Sequence, residues 1–299
     1  MWRGACAVIA FAILSARADP PPQGAPSEHA PVDTVIIETR RRQELEQEVN
    51  RYVGSVAVHP RGEALARWDQ PVCPLVAGLP RTEGEFMLAR LSQIARQAGA
   101  PLGSETCTAN LFVVLADDPE DLLKRWWARN RRLFMTRNGL GGINAFIGSP
   151  RPVRVWYNSD FLSAEGLPAM PGTMVGMLGT SADTSTLPMN QVHSASRLRH
   201  AAVPGLSSVI VVVDNKRLAG LNFGQLADYV AMLSLAQVRL DADTGTTPTI
   251  LSLFRGAENR PTALSPWDEA FLASLYHTQQ ASVTQLSSME HTMLDSVAR

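Results

Sequence analysis

Residues 208–237 read SVIVVVDNKRLAGLNFGQLADYVAMLSLAQ. The first part is a run of β-branched residues with no polar alternation, the composition of a strand buried on both faces. A short polar turn follows, and then a nearly all-apolar segment from Phe223 to Gln237 that reads as a helix with almost no solvated side. A strand and helix of this kind must sit at the centre of whatever the rest of the chain builds. The fold class expected is α+β, a mixed sheet with helices packed against it.

Working outward, the chain has 299 residues, 45% of them apolar and 18% charged, enough material for a substantial core. The formal net charge of −1 supplies no whole-molecule field that would draw in nucleic acid or an acidic membrane, so any electrostatic recognition is local. Residues 1–18 read as a secretory signal peptide: Arg3, the apolar run Ala5 to Leu14, and the small-x-small sequence Ala16-Arg17-Ala18. No later stretch approaches the ~20 apolar residues of a membrane span. The expected location is therefore periplasmic or secreted. Removal of the signal takes Cys6 with it and leaves Cys73 and Cys107, which in an oxidising compartment are expected to form a disulfide. Closing that loop is worth about 4 kcal/mol in the chain-entropy picture.

Residues 19–33 are proline-rich and short of large apolar side chains, an extended linker. A single α+β domain is expected over 34–280, with 281–299 a C-terminal helix or tail. Asp33 to Arg42, DTVIIETRRR, is a β-type run followed by a basic cluster. It reads as the domain's first strand. It also resembles the TonB box of outer-membrane receptors, which would imply an envelope partner bound by strand addition. Glu44 to Val58 has apolar residues at helical spacing. Thr82 and Glu85 form a capping-box pattern for a second helix with Phe86, Ala89, Ile94 and Ala98 in its stripe, stopping at Gly99. A strand is expected over 110–116 and, after Asp117, Asp118 and Pro119, a helix over 120–133. On that helix Arg125, Trp126, Trp127 and Arg129 are the candidate binding surface, one that outside the cytoplasm suits an anionic envelope surface. Residues 138–144 are a glycine-rich turn lacking the strand and helix a phosphate loop needs. Residues 152–158 alternate as a strand, and 163–200, with His193 and His200, read as a long loop or lid.

Familiar catalytic signatures are missing: no G-x-S-x-G, no H-E-x-x-H, no C-x-x-C pair, no Walker loop. Asp243-Thr244-Gly245 spells the aspartic-protease tripeptide, but no second copy exists to share a proton. Beyond the central helix, Pro248 to Phe254 and then Leu264-Ser-Pro-Trp-Asp268 with Leu272, Leu275 and Tyr276 follow in order. Over 209–278 this resembles the metzincins, and the matrixins among them, with Leu251 at the place of the methionine turn. The resemblance implies a zincin-like fold and places the metal-site positions of the active-site helix on Ala227, Asp228, Ala231, Ser234 and Gln237. The first histidine, the second histidine and the third are then alanine, alanine and glutamine, and the glutamate is an aspartate. Both imidazoles that the helix itself would offer to zinc are gone. No metal and no cofactor is expected, and a buried Asp228 would need hydrogen-bond partners. The expected function is an extracytoplasmic, non-catalytic binding or scaffolding module on a spent zincin-like frame, with an unknown envelope protein or anionic surface as partner. Two alternatives stand beside it: a hydrolase using Asp228 with a histidine of the 163–200 loop, and a TonB-linked interaction module through 33–42.

Overall fold

Strand Ala202–Asp214 buries Val209, Val211 and Val213 on one face and Ile210 and Val212 on the other, all without solvent exposure. A strand with two dry faces needs neighbours on both edges and a layer above and below, and the structure, a computed structural model, supplies them. It describes residues 32–58, 63–134, 142–163, 170–172, 187–189, 197–256 and 260–298. The chain divides into two units, Met1–Arg40 and Arg41–Arg299. Of the first, the described part is the helical stretch 32–40.

In chain order the elements are α1 (Val32–Val56), β1 (Pro74–Ala77), α2 (Arg81–Ala98), β2 (Leu111–Ala116), α3 (Pro119–Arg129), α4 (Ile143–Ile147), β3 (Val153–Ser163), β4 (Met170–Gly172), β5 (Leu187–Met189), β6 (Ala202–Asp214), α5 (Phe223–Leu235), α6 (Pro266–His277) and α7 (Gln285–Val297). The main sheet has the order β1-β2-β6-β3. β1, β2 and β6 run parallel, and β3 lies antiparallel along β6 with a register shift at Asn158/Ser159. The fold is α+β around a mixed four-stranded sheet. β4 and β5 form a separate two-stranded ribbon.

On the inner face Leu111, Val113 and Leu115 of β2 join Val209, Val211 and Val213 in one core that includes residues of α1, α2, α5, α6 and α7. The outer face carries a second cluster, in which Ile210, Val212 and Trp156 meet Leu123 of α3, Phe134, and Phe146 and Ile147 of α4. Among the described residues no helix is long and apolar enough to cross a membrane.

Several local expectations are corrected. The strand expected over 33–42 is helix: α1 runs without a break from Val32 to Val56. Its Glu and Arg side chains are good helix formers and carry the turn back through the β-branched run. Strand addition by these residues would require that helix to unwind. In α2 the Thr82/Glu85 capping box is not used; Pro80 precedes the helix, no side chain caps it, and Glu85 pairs with Arg81 instead. Its buried stripe is Met87, Leu91, Ile94, Ala95 and Ala98: Ile94 and Ala98 are covered as expected, while Phe86 and Ala89 are exposed and Met87 and Leu91 take their place. Gly99 ends α2 as expected, in the left-handed conformation a glycine adopts without strain. α3 stops at Arg129 and a 3-10 turn covers 131–134, where one helix was expected to reach 133. Within the span read as a loop, the described residues contain β4 and β5. The C-terminal segment is helix α7, with Met289 and Met293 fully buried, and so part of the domain core.

Cys73 and Cys107 are joined by a disulfide. It links the residue before β1 to the approach to β2, where the Asn110 side chain accepts from the Cys73 N–H and the Cys73 carbonyl accepts from the Asn110 N–H. Gly103 lies so close to both sulfurs that a side chain there would displace them.

Candidate functional site

α5 begins with a reciprocal cap: Asn222 accepts from the Gln225 N–H and the Gln225 side chain accepts from the Asn222 N–H. From there every residue from Gln225 to Leu235 is buried. Ala227, Ala231 and Ser234 have no exposed surface, and Gln237 is half-buried just past the helix. An alanine side chain has no atom able to coordinate a metal, so two of the three positions where the resemblance puts imidazoles, Ala227 and Ala231, are chemically silent. Among the described residues no group of three or more histidines, cysteines and acids could hold a metal ion.

Asp228, 2% exposed, is fully engaged. Arg90 of α2 grips it with two nitrogens, Nε to Oδ1 at 2.5 Å and Nη2 to Oδ2 at 2.9 Å, and the Leu264 N–H donates to Oδ2 at 2.8 Å. The hydrogen bond to Asp228 is the main cause that raises the Arg90 guanidinium above its ordinary pKa. Three donors converge on this carboxylate, two from the arginine fork and one from the backbone, and its charge is balanced by Arg90.

The end of α5 is closed by aromatic donors. Trp68 Nε1 donates to the Ser234 carbonyl at 2.8 Å, the Tyr276 hydroxyl to Leu235 at 2.6 Å, and the Tyr157 hydroxyl of β3 to Leu233 at 2.9 Å and Ala236 at 3.1 Å. These are the carbonyls a helix end leaves without intrahelical partners. Burial pushes the Tyr157 and Tyr276 hydroxyls well above their ordinary range and that of Tyr229 up to about 12. The Ser234 hydroxyl is buried without a partner among the described residues.

Below the helix, Leu251 lies buried in a single 3-10 turn, Ile250–Ser252. The turn is held by a residue that sequence reading quoted only as part of a helix motif. Asp268, fully buried in α6, accepts from Tyr52 at 2.9 Å, Thr249 Oγ1 at 2.6 Å, the Ile250 N–H at 2.8 Å, the Ser265 N–H at 2.9 Å and the Ser265 hydroxyl at 2.8 Å. One carboxylate thus ties α1, the turn and the start of α6. The sequence signal was the pairing of Ser265 with Asp268 at capping-box spacing, since that box is formed.

The candidate surface on α3 separates into two parts. Trp127 packs edge-on to Phe134 with Arg131 over its ring, a structural role. Trp126 stands edge-on to Phe112 of β2 and, with Arg125 and Arg129, lines a groove of about 470 Å³. Leu75 and Ala77 of β1 and Phe112 and Val114 of β2 form its floor. Sequence reading found the wall of this groove but not its floor, which lies on two strands distant in the chain. His193 lies outside the described residues; His200 is half-buried and its N–H donates to Ala281. Asp243 accepts from the Gly245 N–H in a local turn.

Comparison with family models, with curated proteins and with solved structures finds no match for this chain.

Proposed function

We propose that the protein is an extracytoplasmic, non-catalytic binding or scaffolding module built on a zincin-like frame whose metal cleft has been replaced by packing. The observation that carries this reading is the state of α5. The two positions assigned to metal-binding imidazoles are fully buried alanines, and the aspartate at the place of the general base is committed to Arg90 and Leu264. The order of elements supports the ancestry: a buried strand, a buried helix, a turn holding Leu251, and a closing helix opened by Ser265 and Asp268. The disulfide and the signal-like start support a periplasmic or secreted location. With no residue at this site free to activate water, interaction falls to the surface.

The test is metal content together with hydrolysis. Protein dialysed against zinc and then against buffer is expected to retain much less than one zinc per chain, and to leave a panel of fluorogenic peptides uncut. Retention of one zinc per chain through dialysis, or peptide cleavage abolished by a chelator, would overturn the reading.

A further inference from the structure

The outer face of the sheet is covered unevenly. α3 and α4 close it over β6 and β3, where Ile210, Val212 and Trp156 are dry. Over β2 only Trp126 of α3 reaches across, edge-on to Phe112, and over β1 no helix closes the face among the described residues: Leu75 is 42% exposed and Phe112 and Val114 are half-buried. Among the described residues this strip is partly exposed apolar surface next to a wall made by Leu122 and Trp126. The resulting groove, about 470 Å³, falls within the range of about 300–1,000 Å³ usual for small-ligand sites.

Among the described residues two arginines and no acidic side chain line the groove. Of the other cations on this helix, Lys124 is paired with Glu120 at 2.7 Å and Arg125 with Asp121 at 2.8 Å, and in the turn that follows Arg131 lies over Trp127. Arg129, exposed and on the groove, has no ion pair among the described residues, and Asn130 beside it adds an amide donor. A single uncommitted guanidinium at one rim of an apolar trough matches a ligand with an apolar body and one negative head.

We propose that this groove binds a medium-chain amphipathic carboxylate, its chain laid on Leu75, Phe112, Val114 and Trp126 and its carboxylate on Arg129. Lone positive charge at the rim favours a monoanion over a phosphate dianion, and the aromatic wall of Trp126 suits an aliphatic chain. The inference rests on the binding reading above and names the site and ligand class for it.

The experiment is calorimetric titration of the full protein with sodium dodecanoate and with dodecyltrimethylammonium, both below micelle-forming concentrations, and with vesicles of anionic phospholipid. Dodecanoate is expected to bind at one site per chain, at least about tenfold more tightly than the cationic amphiphile. Arg129→Gln should weaken dodecanoate about tenfold, with little change in thermal stability because Arg129 is exposed and has no ion pair among the described residues, and Arg129→Glu should weaken it further, lowering thermal stability slightly because a negative charge in the last turn of α3 opposes the helix dipole. Trp126→Phe should weaken it less. Equal affinity for the two head groups, indifference to Arg129→Glu, absence of dodecanoate binding, or binding to vesicles alone would each overturn the proposal. None of these outcomes bears on zinc retention or peptide cleavage, so failure here is separable from failure of the non-catalytic reading.

Discussion

Alkaline titration tests the closure of the core around α5, because all four tyrosines of the chain take part in it. Burial raises the hydroxyl pKa of Tyr52, Tyr157, Tyr229 and Tyr276, and for Tyr52 the neighbouring Asp268 charge raises it further. Three of these hydroxyls donate to partners that cannot accept a phenolate: the Asp268 carboxylate for Tyr52, and carbonyls at the end of α5 for Tyr157 and Tyr276. A folded pKa above the unfolded value means that the folded state holds the proton longer. Stability is therefore fully present below the unfolded pKa of about 10 and is lost as pH rises through it towards the folded values. At pH 11 an unfolded tyrosine gains about 1.4 kcal/mol by ionising while its folded counterpart stays protonated, so four together remove about 5–6 kcal/mol. Against a total stability of about 5–15 kcal/mol, that places unfolding near pH 11 for a domain at the low end. Phenolate absorbance at 295 nm, followed beside far-ultraviolet circular dichroism, should rise in one step that coincides with loss of helix. Two or more tyrosines ionising reversibly near pH 10 in protein with intact ellipticity would refute the packing described.

Two further outcomes follow from named contacts. Arg90→Met leaves Asp228 buried with the Leu264 N–H as its remaining partner; the loss should be about 3 kcal/mol, the low end for a broken buried pair because Arg90 is a quarter exposed, and lower the melting temperature by about 6–12 °C. Adding Asp228→Leu should recover much of that loss, and strictly additive single effects would exclude the pair. Reduction of the Cys73–Cys107 bridge should cost up to about 4 kcal/mol, read as a fall in denaturation midpoint. Alkylation of either cysteine in native, unreduced protein, detected by mass spectrometry, would show that the bridge is absent.

The parts of the fold legible in the sequence were those where one kind of signal dominated. β6 and α5 announce themselves because neither has a solvated face, and the cysteine pair because two thiols in an oxidising compartment have a simple fate. Gly99 marks a helix end because the left-handed turn there suits glycine. What misled was local propensity set against longer context: Val35, Ile36 and Ile37 look like a strand, yet the charged residues after them extend the helix backwards. Phe86 looked like core by size, while the covered face of α2 runs through Met87, Leu91 and Ile94. The floor of the groove was illegible for another reason. Leu75 and Phe112 become neighbours only through the parallel pairing of β1 with β2, a register no local pattern encodes.

The two carboxylates of the C-terminal third show why the site reads as structural. Asp228 lies on α5 and Asp268 in the first turn of α6, and each is buried with both oxygens accepting hydrogen bonds. Burying a carboxylate is costly unless donors converge on it, and the donors here come from α1, α2, the 3-10 turn and the α6 cap, each fixed by its own packing. Freeing either oxygen for chemistry would therefore mean loosening several elements at once. A catalytic base needs the opposite: one face supported and one face open. The surface proposed to take a ligand lies elsewhere, on the partly exposed strip of β1 and β2, where among the described residues Arg129 has no ion pair and binding would leave the core undisturbed.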